Sequence, residues 1–162
     1  MNLNFNKSVS EPFIELITYS SLNPIPLILK LSKDAELPET IYTRNLAGEN
    51  FIELRFNKKT KKLYEITIVA IQEDSVKLGV NDCISSDEFY ECYIEDDREL
   101  DISKPIQILR SDESLLFSWG APPSQLYTIA ENCILGVDVE KKLSAIFLIN
   151  LSNEVIYEIL GF

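Results

Sequence analysis

The sequence predicts a mainly β protein, an antiparallel β-sandwich-like domain with at most short helices. Three observations carry this. Short runs rich in Ile, Val, Phe and Tyr recur along the chain, separated by polar or Pro/Gly turns. Two long stretches, "FIELRFNKKTKKLYEITIVAI" from Phe51 and "CILGVDVEKKLSAIFLINL" from Cys133, repeat one hairpin pattern of apolar run, basic turn and second apolar run. Helix signals are confined to two short segments. At 162 residues the chain suffices for a single domain, 1–162, with a sizeable core.

Taken in order, the predicted strands begin with Phe13–Tyr19 and Ile25–Leu31, apolar runs on either side of a polar "SSLN". Phe51–Phe56 and Leu63–Ile71 flank the turn "NKKTKK". Val76–Val80 follows "QEDS", read as a hairpin turn, and Glu88–Ile94 combines acids with aromatic and aliphatic residues. Ile106–Arg110 and Leu115–Trp119 come next. The second ends at "GAPPS", because two prolines cannot continue a ladder. Ile134–Val137 and Leu143–Leu151 flank "DVEKK". Residues 122–130 fit a short helix with prolines in its first turn. Ser152 fits an N-cap and Gly161 a C-terminal stop, yet Val155, Tyr157 and Ile159 also fit one strand face, so both readings stand there. Residues 145–149 carry no polar side chain and 66–71 only Thr67, so these strands need cover on both faces. A helix, a long loop such as 32–48, or a partner chain would supply it.

The echo has a register. At an offset of 81 residues Leu54 falls on Leu135, Phe56 on Val137 and Asn57 on Asp138. With one residue removed from the turn, Lys61-Lys62-Leu63 falls on Lys141-Lys142-Leu143, and Ile66 on Ile146. Upstream, Pro24-Ile25 falls on Pro105-Ile106, whereas 34–48 has no counterpart. Two readings stand: an internal duplication with halves of about 1–81 and 82–162, or two hairpins alike because hairpins are generic.

The chemistry that is absent narrows the function. With no histidine in the chain, His-based acid–base catalysis, Ser-His and Cys-His nucleophiles and His-containing zinc sites are all excluded. The five glycines are too dispersed to cradle a phosphate. The expectation is a protein that is not an enzyme and has no metal or cofactor. Three cysteines, Cys83, Cys92 and Cys133, lack metal or redox spacing and read as reduced thiols, with Cys92 and Cys133 in the core. Trp119 alternates with Leu115 and Phe117 and reads as core. No apolar run approaches the roughly 18 residues of a membrane span, and the N-terminal stretch has no signal-peptide run, so the expected location is cytoplasmic.

The net charge is −11, from 26 acids and 15 bases. Such a field repels nucleic acid and anionic lipid and attracts basic partners. Lys58, Lys59, Lys61 and Lys62 form a dense basic cluster, read as a solvated hairpin tip. Ser85 to Asp101 carries eight acids against one base. There Asp87, Glu88, Glu91, Glu95, Asp96, Asp97, Glu99 and Asp101 surround Phe89, Tyr90 and Tyr93. It lacks the spacing and glycine of a calcium loop. One reading is a solvated edge whose charge deters strand pairing. The other is a docking surface, with acids steering a basic partner and Tyr90 and Tyr93 supplying contact area.

With "DEFYECYIEDD" in a small acidic chain of Asn/Lys/Ile-rich usage, the sequence resembles an immunity protein of a bacterial toxin–immunity system, of the contact-dependent growth inhibition type. The resemblance implies a 1:1 complex of a monomer with one cognate toxin domain, commonly a basic nuclease whose active site is occluded. The alternative is a β-rich small-ligand or subunit-binding module, also without catalysis.

Overall fold

The computed structural model describes residues 2–20, 23–33, 37–79, 86–96 and 98–161. In chain order the strands are β1 (Leu3–Lys7), β2 (Glu15–Ser20), β3 (Asn23–Lys30), β4 (Thr40–Ala47), β5 (Asn50–Asn57), β6 (Leu63–Ala70), β7 (Val76–Leu78) and β8 (Tyr90–Ile94). They continue as β9 (Leu100–Ile102), β10 (Gln107–Arg110), β11 (Leu115–Ser118), β12 (Gln125–Ala130), β13 (Cys133–Val137) and β14 (Leu143–Leu148). A single α-helix among the described residues, α1 (Asn153–Leu160), follows. The protein is mainly β.

Two six-stranded sheets have the orders β2-β3-β6-β5-β4-β9 and β12-β13-β14-β11-β10-β7, and β1 pairs with β8 as a separate ribbon. Reading the second order backwards from β10 shows that both sheets use one antiparallel pattern. A hairpin (β2-β3 or β10-β11) packs its second strand against the last strand of a three-strand meander (β4-β5-β6 or β12-β13-β14). The register is also shared. Leu54 faces Ile66 and Phe56 faces Leu63, with an irregularity between Arg55 and Phe56. Leu135 faces Ile146 and Val137 faces Leu143, with an irregularity between Gly136 and Val137.

The two turns match as well. Asn57 Oδ1 accepts from the N–H groups of Lys59 and Thr60, and Asp138 Oδ1 from those of Glu140 and Lys142. Each side chain thereby fixes a turn locally. Lys61 and Lys141 both take left-handed backbone, at φ 67° and 63°.

Several expectations change. Residues 122–130 do not form a helix: β12 occupies Gln125–Ala130, because Tyr127, Thr128 and Ile129 suit a strand, and Tyr127 and Thr128 pair with Leu135 and Ile134 of β13. The stretch 32–48 is not a covering loop but contains β4, whose inward positions Thr43 and Asn45 are polar and hide the alternation. Gln72–Ser75 is not a hairpin turn. Residues Glu73–Ser75 form one 3-10 turn that sends β7 to the other sheet, parallel to β10. The Pro-Ile match at 24–25 and 105–106 joins non-equivalent strands, since the counterpart of β3 by pairing is β11, not β10. The strands β1 and β9 were not foreseen. Val80 and Cys83 lie outside the described residues.

The segment after Ser152 is a helix. Ser152 Oγ accepts from Val155 N–H at 3.2 Å, and Gly161, at φ 76°, returns its N–H to Tyr157 O. Its apolar face, Ile156, Ile159 and Leu160, joins one continuous core with Leu29 and Phe56 of one sheet, Phe117 and Ile146 of the other, and Leu3, Cys92 and Ile94 of the ribbon. Trp119 is in that core too.

The outer face of β13 is covered by the chain itself. A Cβ on Gly136 would lie 2.8 Å from Pro123 Cβ and 3.2 Å from both Ala145 Cβ and Leu126 Cδ2. Only glycine admits that approach of the Pro123 loop. Gly136→Ala should therefore lower unfolding stability by about 1–3 kcal/mol through overpacking, read as a lower urea midpoint. Adding Pro123→Gly should recover part of the loss. A Gly136→Ala protein as stable as wild type would refute this packing.

Candidate functional site

The acid-rich segment is built around the ribbon. Alternation along β8 sends Cys92 and Ile94 into the core and leaves Glu91 and Tyr93 half-buried on the other face. β1 follows suit, with Leu3 buried and Asn4 and Asn6 exposed. Tyr93 OH donates to Glu91 Oε2 at 2.6 Å, and Lys62 Nζ lies 3.4 Å from Glu91 Oε1. The tyrosine hydrogen bond and the lysine charge outweigh burial and hold the Glu91 carboxyl below its ordinary value. The same hydrogen bond, with burial and the Glu91 charge, pushes Tyr93 up to about 12.

The expected docking residues fall into two groups. Asp87 and Glu88 lie exposed just before β8, where Lys7 Nζ meets Glu88 Oε1 at 3.1 Å. Glu95 and Asp96 follow β8. Glu99 and Asp101 belong instead to the edge of a six-stranded sheet, 3.7 and 3.9 Å from Arg44 Nη1. Asp97 lies outside the described residues. Tyr90 does not stand alone: it meets Tyr127 edge-on at 5.1 Å, and Tyr127 stacks on Phe5 at 3.9 Å.

An ion-pair ladder on the outer face of β4-β5-β6 was not foreseen. Arg44 Nε reaches Glu53 Oε2 at 2.9 Å, Arg55 Nε reaches Glu53 Oε1 at 2.7 Å, and Arg55 Nη1 reaches Glu65 Oε2 at 2.9 Å. Both guanidinium groups lie over the Tyr42 ring, at 4.4 and 5.5 Å from its centroid. The hydrogen bond to Glu53 raises the Arg44 pKa further. Cross-strand pairing of Arg44 with Glu53 and of Arg55 with Glu65 sets these contacts. The only sequence signal is the period-two polar positions Tyr42/Arg44 and Glu53/Arg55.

Beneath the ribbon is a cleft of about 220 Å³, lined in part by Tyr90, Glu91 and Lys62. The Cys92 and Cys133 thiols are buried, and burial pushes both up, Cys133 to about 12, so neither is a ready nucleophile. Among the described residues no group of three or more Cys, Asp or Glu is placed to hold a metal, and no helix is long and apolar enough to cross a membrane. No protein-family model matches the chain, and no curated protein matches it.

Two outcomes follow from these contacts. The proton of Tyr93 is held above its ordinary pKa of 10.0, so its stabilising share is complete below that pH and is lost as pH rises through about 12. The Glu91 share runs the other way, present above its ordinary 4.5 and lost as pH falls. Tyr93→Phe should remove a late-titrating tyrosinate from a near-UV absorbance titration and flatten the alkaline loss of stability. An unchanged titration would refute the Tyr93–Glu91 bond. Separately, Glu53→Gln should cost about 1–3 kcal/mol, because a largely buried charge acceptor serving two arginines is lost. Glu99→Gln, at an exposed position, should leave the denaturation midpoint unmoved.

Proposed function

We propose that this chain is a non-catalytic, cytoplasmic immunity protein that binds one basic toxin domain and occludes its active site. The observation that carries this is the placement of the exposed Asp87 and Glu88 just before β8, with Glu88 Oε2 3.5 Å from Tyr90 OH of the Phe5–Tyr127–Tyr90 aromatic cluster, in a chain of net charge −11. A nuclease groove is positive because its substrate is polyanionic, and inhibitor carboxylates take the place of phosphates there. An interface of roughly 800 Å² per partner suffices when charge and shape match. Cover of Gly136 by the chain's own Pro123 and Leu126 supports a monomer in a 1:1 complex, since no second copy is needed on that face. The alternative, a small-ligand module, draws support from the cleft beneath the ribbon.

The binding surface on this reading is the ribbon with the residues that flank β8, not the β9 edge. Asp87→Lys with Glu88→Lys and Glu95→Lys should slow association with the cognate toxin domain by roughly tenfold or more at low salt. The effect should shrink at physiological salt, where the Debye length is about 8 Å. Glu99→Lys with Asp101→Lys should change the rate far less. Surface-binding kinetics at two salt concentrations and survival of toxin-expressing cells provide the readout. A wild-type chain that neither binds nor protects ends this proposal.

A further inference from the structure

The cleft beneath the ribbon has a composition of its own. Phe13, Leu31, Leu63 and Ile129 give it an apolar floor, of which Leu63 and Ile129 are buried. Its charged lining residues are Glu11, Glu91, Lys33 and Lys62. Lys33 Nζ sits 5.4 Å above the centre of the Phe13 ring. Lys62 is held by Glu91 at 3.4 Å, and Glu91 in turn by Tyr93. At about 220 Å³ the space is below the ~300–1,000 Å³ of drug-sized sites. It holds about seven waters at ~30 Å³ each, hence a ligand on the order of ten non-hydrogen atoms.

Charge decides the class. A lone cation entering the cleft meets Lys33 and Lys62, and a lone anion meets Glu11 and Glu91. A small zwitterion with an apolar body satisfies both signs and the floor together. The geometry points to a binding site for a free apolar α-amino acid of leucine size. Its ammonium sits at Glu11 and Glu91, its carboxylate at Lys33 and Lys62, and its side chain against Phe13, Leu31 and Ile129. This goes beyond toxin binding and does not depend on it, because it concerns the isolated chain.

The test is calorimetric titration of the full chain with L-leucine, with isoamylamine, which lacks the carboxylate, and with 4-methylpentanoate, which lacks the ammonium. Amide shift mapping locates the site. Leucine should bind and shift Leu31, Leu63 and Glu91, and removing either charge should weaken binding by about tenfold or more, the scale of a charge-assisted hydrogen bond. Lys33→Gln and Glu11→Gln, both at exposed positions, should weaken leucine comparably without moving the unfolding midpoint. Absence of leucine binding overturns the inference. So does equal binding of either singly charged analogue, or indifference to both substitutions.

Discussion

Two backbone hydrogen bonds close the molecule. Leu3 and Ile94 are opposite neighbours in the ribbon, and each sends its N–H outward: Leu3 to Lys141 O at 3.1 Å, Ile94 to Lys61 O at 3.0 Å. The accepting carbonyls belong to the two left-handed turn residues, one from each meander. Turn, β8, β1 and turn thus form a continuous layer that joins the two sheets at one pole and buries Leu3, Cys92 and Ile94 beneath it. A left-handed lysine costs roughly 1–2 kcal/mol. Such conformations persist where their surroundings over-determine them, as here, where each turn is held by an Asn or Asp side chain within and a ribbon N–H from outside. The clasp also ties the start of the chain to a turn near its end. Loop-closure entropy must be met before that contact forms, which favours slow folding.

What was legible in the sequence follows from which forces act locally. The meander strands β5, β6, β13 and β14 could be read because burial on their inner faces demands large apolar residues and the turn chemistry lies in the same few positions. The correspondence of Leu54 with Leu135 and of Ile66 with Ile146 is therefore also a correspondence of pairing. β4 was illegible because its inward Thr43 and Asn45 are polar. Asn45 Oδ1 is used to accept the backbone N–H of Lys104, a tertiary role that no local pattern announces. β12 begins with the exposed Gln125 and Leu126 after two prolines, which is equally good helix grammar. β1 and β9 exist through their partners rather than through their own periodicity.

The acid-rich segment was legible in composition but not in arrangement. Acid density between Ser85 and Asp101 is plain in the letters. The cations that meet those acids are not, because Lys7, Lys62 and Arg44 come from other segments, Lys7 being 81 residues from Glu88. Parallel pairing of β9 with β4 takes Glu99 and Asp101 away from the ribbon and onto the sheet edge, near Arg44. The arginine ladder was missed for the same reason, since two of its three links are cross-strand.

The two sets of ion pairs differ in what a partner can do with them. In the Lys7–Glu88 pair both side chains are more than half exposed. Such a pair contributes about 0–1 kcal/mol, because water solvates each ion nearly as well as the other does. An incoming arginine that binds Glu88 through two parallel N–H groups displaces Lys7 at little cost and gains the stronger geometry. Glu53 is only 9% exposed and is divided between two arginines, so removing either leaves a poorly solvated carboxylate. Exchange there is costly. The ladder accordingly acts as framework, holding β4, β5 and β6 in register. On the proposed reading, the Lys7–Glu88 pair is one that an incoming cation exchanges readily. Physical chemistry thus separates the acids of this chain by exchangeability rather than by number, and exchangeability is greatest beside the aromatic cluster of the ribbon.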